Sequence, residues 1–247
     1  MALSKYSEKS KRFIFTSPQD DAFINILHGS IRSSKTWTMI PKLVYELNRY
    51  DVPVGDRVIF GVSKDTIYHN VLNQLFDFVG AKNYKYNRSS GELRIHGKEW
   101  TVIGAKDEGS EKYIRGRTVG IAYGDEITLT PKSFMNMLLS RMSSDGARFY
   151  GTTNPDNPFH YINVDYLTDE KKLKSGIVKS WQFNFDDNLS LSAAKKEEYN
   201  QVFKGVFNDR MIKGLWVMAE GAVYKDSIDI NQDVSVCGLN EYDDSTM

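Results

Sequence analysis

The chain has 247 residues, 40% of them hydrophobic and 26% charged, a composition that fits one large or two small folded domains and excludes a disordered or fibrous protein. Its 32 basic and 32 acidic residues balance, so no overall field draws it to nucleic acid or to an anionic membrane, and any nucleic-acid contact must come from a local patch. Cys237 is the only cysteine, which excludes an internal disulfide and a multi-cysteine metal site; no run approaches the roughly 18 apolar residues of a spanning helix, and a cytosolic protein is expected.

Residues 23–29, FINILHG, are a short apolar run ending at glycine, the pattern of a buried strand. Residues 35–50, KTWTMIPKLVYELNRY, have helical apolar spacing with Met39, Leu43, Val44 and Leu47 on one stripe. Pro41 falls inside that helix and is expected to kink it or disturb its second turn. DRVIFGVSK (56–64) reads as the next buried strand, and DTIYHNVLNQLFDFVG (65–80) as a helix closed by Gly80. GELRIHGKEWTVIGAKD (91–107) predicts a hairpin turning at His96-Gly97. TVGIAYGDE (118–126) is a strand ending in two carboxylates, and TPKSFMNMLLSRMS (130–143) a helix with Thr130 as N-cap and Pro131 at its first position. ARFYGTTNP (147–155) is another strand, and LSAAKKEEYNQVFKGVFNDR (191–210) a late amphipathic helix. Strands alternating with helices predict an α/β fold, a mostly parallel central sheet with helices on both faces. Beyond Trp216 the pattern weakens, and the final NEYDDSTM has the composition of a frayed tail. His28, His69, His96 and His160 show no metal-ligand spacing and are read as structural or surface residues.

The loop after the first strand, GSIRSSKT (29–36), follows the P-loop pattern G-x-x-x-x-G-K-[ST], except that Ser34 stands where the second glycine belongs. Such a loop works because consecutive backbone amides and a helix N-terminus surround phosphate oxygens. The candidate phosphate-binding residues are therefore Gly29, Ser30, Ile31, Arg32, Ser33, Ser34, Lys35 and Thr36, with Lys35 neutralising phosphate and the Thr36 hydroxyl on Mg²⁺. A second glycine eases the turn but supplies no essential atom.

Asp125 and Glu126 close a later apolar strand. Beside a P-loop, the aspartate would hold Mg²⁺ and the glutamate would polarise the attacking water; alone, the pair would be an acidic turn capping the next helix. Thr152, Thr153 and Asn154, at the end of the following strand, could sense a γ-phosphate or could form a simple turn.

Taken together, the loop GSIRSSKT, then YIRGRTVGIAYGDE, GTTNP, FNFDDNLSLS and IKGLWVMAEGAVY resemble the large terminase subunit of tailed bacteriophages, the ATPase that packages DNA. The likeness covers nearly the whole chain, and the last two stretches are its most discriminating part because generic P-loop ATPases lack them. It implies a P-loop fold of the additional-strand, conserved-glutamate type, with ATP and Mg²⁺ as cofactors. Lys35 and Thr36 would bind phosphate and metal, Asp125 would be the metal-side acid, Glu126 the catalytic base, and Thr152, Thr153 and Asn154 the coupling motif. Gln19, just before the first strand, is the candidate for adenine recognition. Arg32 in cis or Arg115 from a neighbouring subunit would be the arginine finger, while Arg117 reads as a surface ion-pair residue. Implied partners are double-stranded DNA, the portal protein, the small terminase subunit and further copies of the chain in a ring, all in the host cytoplasm. Family members continue into a nuclease domain. Only about thirty residues follow Trp216, so residues 1–215 are expected to be the ATPase domain and 216–247 a linker or tail, with Asp226, Asp229 and Asp233 as linker acids and no DNA cleavage. A helicase-like or other DNA-dependent ATPase shares the loop and the GDE triplet, and a nucleotide-binding module without catalysis is the third alternative. Lysines of residues 169–180 and Lys195, Lys196 and Lys204 are candidate DNA-phosphate contacts, with solvated charge the plain alternative.

Overall fold

The computed structural model of the protein describes residues 3–17, 20–48 and 53–218. Gln19, Asp226, Asp229, Asp233, Cys237 and the terminal stretch from Asn240 lie outside them. Helix α1 (Glu8–Ile14) precedes strand β1 (Ile24–Gly29), whose six residues are all buried, as an apolar run flanked by strands on both sides requires. Helix α2 (Lys35–Leu47) buries Met39, Leu43 and Leu47 at four-residue intervals. It passes through Pro41 as a single helix, so the expected disturbance does not divide it. Pro41 forfeits one hydrogen bond, but its neighbours Met39, Ile40 and Leu43 are buried in the core, and that packing holds the helix together.

Strand β2 (Asp56–Gly61) leads into α3 (Lys64–Ile67), capped by Ser63. The helix expected over residues 65–80 continues through a π turn (Tyr68–Leu72) into α4 (Asn73–Val79) and ends at Gly80 with φ 81°. Strands β3 (Tyr84–Asn87), β4 (Glu92–Ile95) and β5 (Lys98–Gly104) form an antiparallel meander, and His96 (φ 47°) with Gly97 (φ 76°) makes the expected hairpin turn.

Strand β6 (Val119–Gly124), helix α5 (Lys132–Arg141) and strand β7 (Arg148–Thr153) follow. Pro131, not Thr130, occupies the cap position of α5, with extended ψ 140° and no side-chain cap bond. A residue before proline is excluded from helical conformation, and Thr130 accordingly sits at ψ 135°. A short α6 (Glu170–Lys174) precedes β8 (Val178–Phe183), a strand with half-exposed alternate positions. The amphipathic helix expected over 191–210 is instead α7 (Ala193–Val202), which buries no residue, then α8 (Gly205–Phe207) and a π turn (Asn208–Ile212). Phe203 and Lys204 are extended and Gly205 takes φ 58°, which breaks the helix there.

The eight strands form one mixed, mostly parallel sheet in the order β3-β4-β5-β2-β6-β7-β1-β8. All pairs from β5 to β8 in that order are parallel. Alternation along each strand divides the interior between two cores. Ile59, Ile121, Tyr123 and Tyr150 pack with residues of α2 and α4, whereas Val58, Phe60, Ala122 and Phe149 pack with α5. Strand β7 lies between β1 and β6, which brings the ends of three motif-bearing strands side by side.

Candidate active site

In parallel strands the carboxyl ends open onto one edge of the sheet, where ligands of α/β proteins collect. Leu27 pairs with Thr152, and Gly124 with Gly151, so the loop after β1, the acids after β6 and the polar end of β7 share that edge.

The loop of residues 29–36 is shaped by two left-handed residues. Arg32 has φ 53° and Ser34 φ 70°, and backbone that alternates in this way aims successive amides at one point. Ser34 thus takes the conformation that the missing glycine would adopt freely, at a cost of about 1–2 kcal/mol. Its neighbour Gly29 cannot be replaced so simply. A Cβ there would lie 1.9 Å from the Phe183 carbonyl oxygen, because Gly29 pairs directly with Phe183 at the end of the parallel strand β8. Ser30 N donates to Phe183 O at 3.0 Å and Ile31 N to Met211 O at 2.7 Å, while Asn188 Nδ2 donates to Arg32 O at 2.6 Å. The loop is therefore fixed from its outer side. The amides of Ser34, Lys35 and Thr36, at the head of α2, donate to no backbone carbonyl among the described residues.

Lys35 is buried, and its Nζ is held only by neutral oxygens: Ser30 O at 2.6 Å, Asn154 Oδ1 at 3.0 Å, and Gly29 O and Ser33 Oγ each at 3.2 Å. Burial lowers its pKa to about 7, against the pull of Asp125 and Glu126. A buried cation without a contacting carboxylate is costly, and an anion in the amide cradle would remove that cost.

Asp125 is also buried. Its Oδ1 accepts from Thr152 Oγ1 at 2.9 Å and from the Tyr123 hydroxyl at 3.1 Å, and Asn70 Nδ2 reaches Oδ2 at 3.4 Å. Burial raises its pKa, opposed by those three donors and by Lys35. Glu126 sits at φ 49°, a left-handed strain that turns it out of the strand. Its pKa is raised by burial and then by Asp125, the direction that suits a proton acceptor. Thr153 Oγ1 bonds Thr128 Oγ1 at 2.8 Å.

Of the residues expected from the sequence, the loop, Asp125, Glu126, Thr152, Thr153 and Asn154 come together. Arg32 lies exposed in the loop without an ion pair among the described residues. Arg115 is exposed after the short helix Glu108–Tyr113, paired with Glu111 at 3.1 Å and touching none of these groups. Arg117 pairs with Asp56 at 2.6 Å. The lysines considered for DNA are largely committed: Lys172 to Asp169, Lys174 to Glu170, Lys195 to Glu198 and Lys196 to Asp186. Two site residues were missed. Tyr123 was detectable, because residues two apart on a strand share a face and Tyr123 stands two before Asp125. Asn70 reaches Asp125 from the π turn, for which the sequence carries no signal.

Neither a protein-family model nor a curated protein matches the chain. Among solved structures, the large terminase of a thermophilic bacteriophage is 33% identical, with a TM-score of 0.77 over 92% of this chain and 57% of that one. The chain resembles the large terminase family. It spans a little over half the length of that thermophilic-phage terminase, which has also been solved in complex with ADP (32% identity) and with ATP-γ-S (30% identity). The ATPase domain of the Thermus phage P74-26 large terminase matches at 14% identity and a TM-score of 0.58, over 86% of this chain and 96% of that one, a likeness of fold. Among the described residues no helix is long and apolar enough to cross a membrane.

Proposed function

We propose that this chain is the ATP-hydrolysing part of a terminase motor that drives double-stranded viral DNA into a procapsid, working in the host cell with the portal protein, the small terminase subunit and further copies of itself in a ring. The observation that carries the ATPase reading is Lys35, a buried cation coordinated by neutral oxygens beneath a cradle of unengaged amides. The phosphates of ATP supply the missing negative charge. The complexes of the thermophilic-phage terminase with ADP and ATP-γ-S support the same ligand here. Strand β7 inserted between β1 and β6, with Glu126 directly after Asp125, supports the additional-strand, conserved-glutamate class.

The donor set fits Mg²⁺. Thr36 and Asp125 are hard oxygen groups, and among the described residues there is no cluster of three metal-ligating side chains, as suits an ion that takes most of its ligands from phosphate and water. Bound there, Mg²⁺ would neutralise phosphate charge. Lys35 and the loop amides hold the phosphates. Glu126 takes the proton of the attacking water as its oxygen bonds to the γ-phosphorus and the bond to the bridging oxygen breaks, releasing ADP. Asn154 touches Lys35 and Thr152 touches Asp125, so the end of β7 registers the state of both sides of the site. That contact pair is the basis for a coupling role of Thr152, Thr153 and Asn154.

The positive charge that meets the γ-phosphate comes from Arg32 in cis or from Arg115 of a neighbouring subunit. Steady-state phosphate release from ATP tests the function and this choice together. Hydrolysis is expected and is abolished in Lys35→Ala; its absence at every protein concentration contradicts the ATPase reading. Turnover per subunit that rises with concentration and loses the rise in Arg115→Ala assigns the finger to Arg115, an effect on the order of 10³-fold. Flat turnover suppressed only by Arg32→Ala assigns it to Arg32.

A further inference from the structure

Tyr123 is wholly buried on β6, yet its hydroxyl lies among the polar groups of the site. It donates to Asp125 Oδ1 at 3.1 Å and lies 3.0 Å from Thr152 Oγ1, while Thr152 itself donates to the same Oδ1 at 2.9 Å. One hydroxyl therefore touches both the acid after β6 and the end of β7.

Two donors on Asp125 Oδ1 fix the carboxylate, and Oδ2 is left with the long Asn70 contact at 3.4 Å. We infer that Tyr123 is a positioning residue that orients Asp125 for a nucleotide-bound divalent cation. It acts through that carboxylate and touches neither metal nor substrate. This rests on the nucleotide site proposed above.

Partners of this kind that orient metal ligands are worth 10–100-fold in metal affinity or activity in other sites, on the order of one or two decades. Tyr123→Phe keeps the ring in the core, and Thr152 and Asp125 remain bonded to each other, so no buried polar group is stranded. The test compares ADP affinity with Mg²⁺ and with EDTA by calorimetry in the wild-type chain and in Tyr123→Phe. The wild type should bind ADP more tightly with Mg²⁺. Tyr123→Phe should match the wild-type affinity in EDTA and the wild-type melting temperature, but lose about ten-fold or more of the Mg²⁺-linked gain. A Tyr123→Phe protein with the full gain overturns the inference, as does one whose EDTA affinity falls by the same factor, since that marks a general packing role. Wild-type protein that binds no ADP in either condition overturns the nucleotide site itself.

Discussion

Ser34 shows how a single residue can depart from a motif and keep its geometry. The P-loop pattern requires a left-handed turn at this position more than it requires glycine, and Ser34 supplies the turn at φ 70°. The strain that this implies leads to a prediction. Ser34→Gly should keep the rise in melting temperature caused by Mg²⁺ and ATP, and should leave stability unchanged or raise it by up to about 1 kcal/mol. Ser34→Val, whose branched side chain resists positive φ, should lose most of the nucleotide-induced rise. Thermal denaturation with and without nucleotide checks both; an unchanged rise in Ser34→Val would mean that the loop does not need its observed shape. At this scale the sequence was largely legible, because residues 29–36, 125–126 and 152–154 are consecutive in the chain and their chemistry is local. What it hid depends on return of the chain: Met211 and Asn188 hold the loop from more than 150 residues away, as no spacing rule could announce.

Among the elements, β1 carries the loop and is itself held between β7 and β8. The flank made by β8 was not anticipated, since its half-exposed alternation follows a run of lysines that reads as solvated charge. By contrast, the apolar runs that became β1, β2, β6 and β7 were readable because each is buried on both faces. One consequence of the β1–β8 pairing concerns His28. It is buried on β1, with Nε2 2.9 Å from Ser180 Oγ, and burial followed by the nearby Lys35 lowers its pKa to about 4. The folded-state pKa lies below the unfolded one, so the unfolded chain takes up the proton first. Stability from this group is fully present above the ordinary value near 6.5 and is lost as pH falls toward 4. Between pH 7 and pH 5 the loss should be on the order of 2 kcal/mol. His28→Gln, which can still bond Ser180, should flatten that limb in urea denaturation measured at the two pH values. An equal loss in wild type and variant would mean that His28 is not held neutral.

The whole molecule is a mixed, mostly parallel sheet whose strand order gathers the loop of residues 29–36, Asp125 and Glu126 at one edge, with β7 wedged between β1 and β6. Its overall class followed from the alternation of strands and helices, and the hairpin β4-β5 was legible too, whereas the added strand β3 and the broken helix after residue 202 depended on turns and packing that periodicity does not report. The central claim is that this edge hydrolyses ATP, with Glu126 as the base that activates water. Phosphate release from pre-bound ATP under single-turnover conditions, with wild type and Glu126→Gln side by side, tests it most directly. Glutamine keeps the size and polarity of the side chain but cannot accept the proton, so ATP affinity should stay within a few-fold while the rate falls at least ~100-fold. Near-normal release by Glu126→Gln would contradict the account.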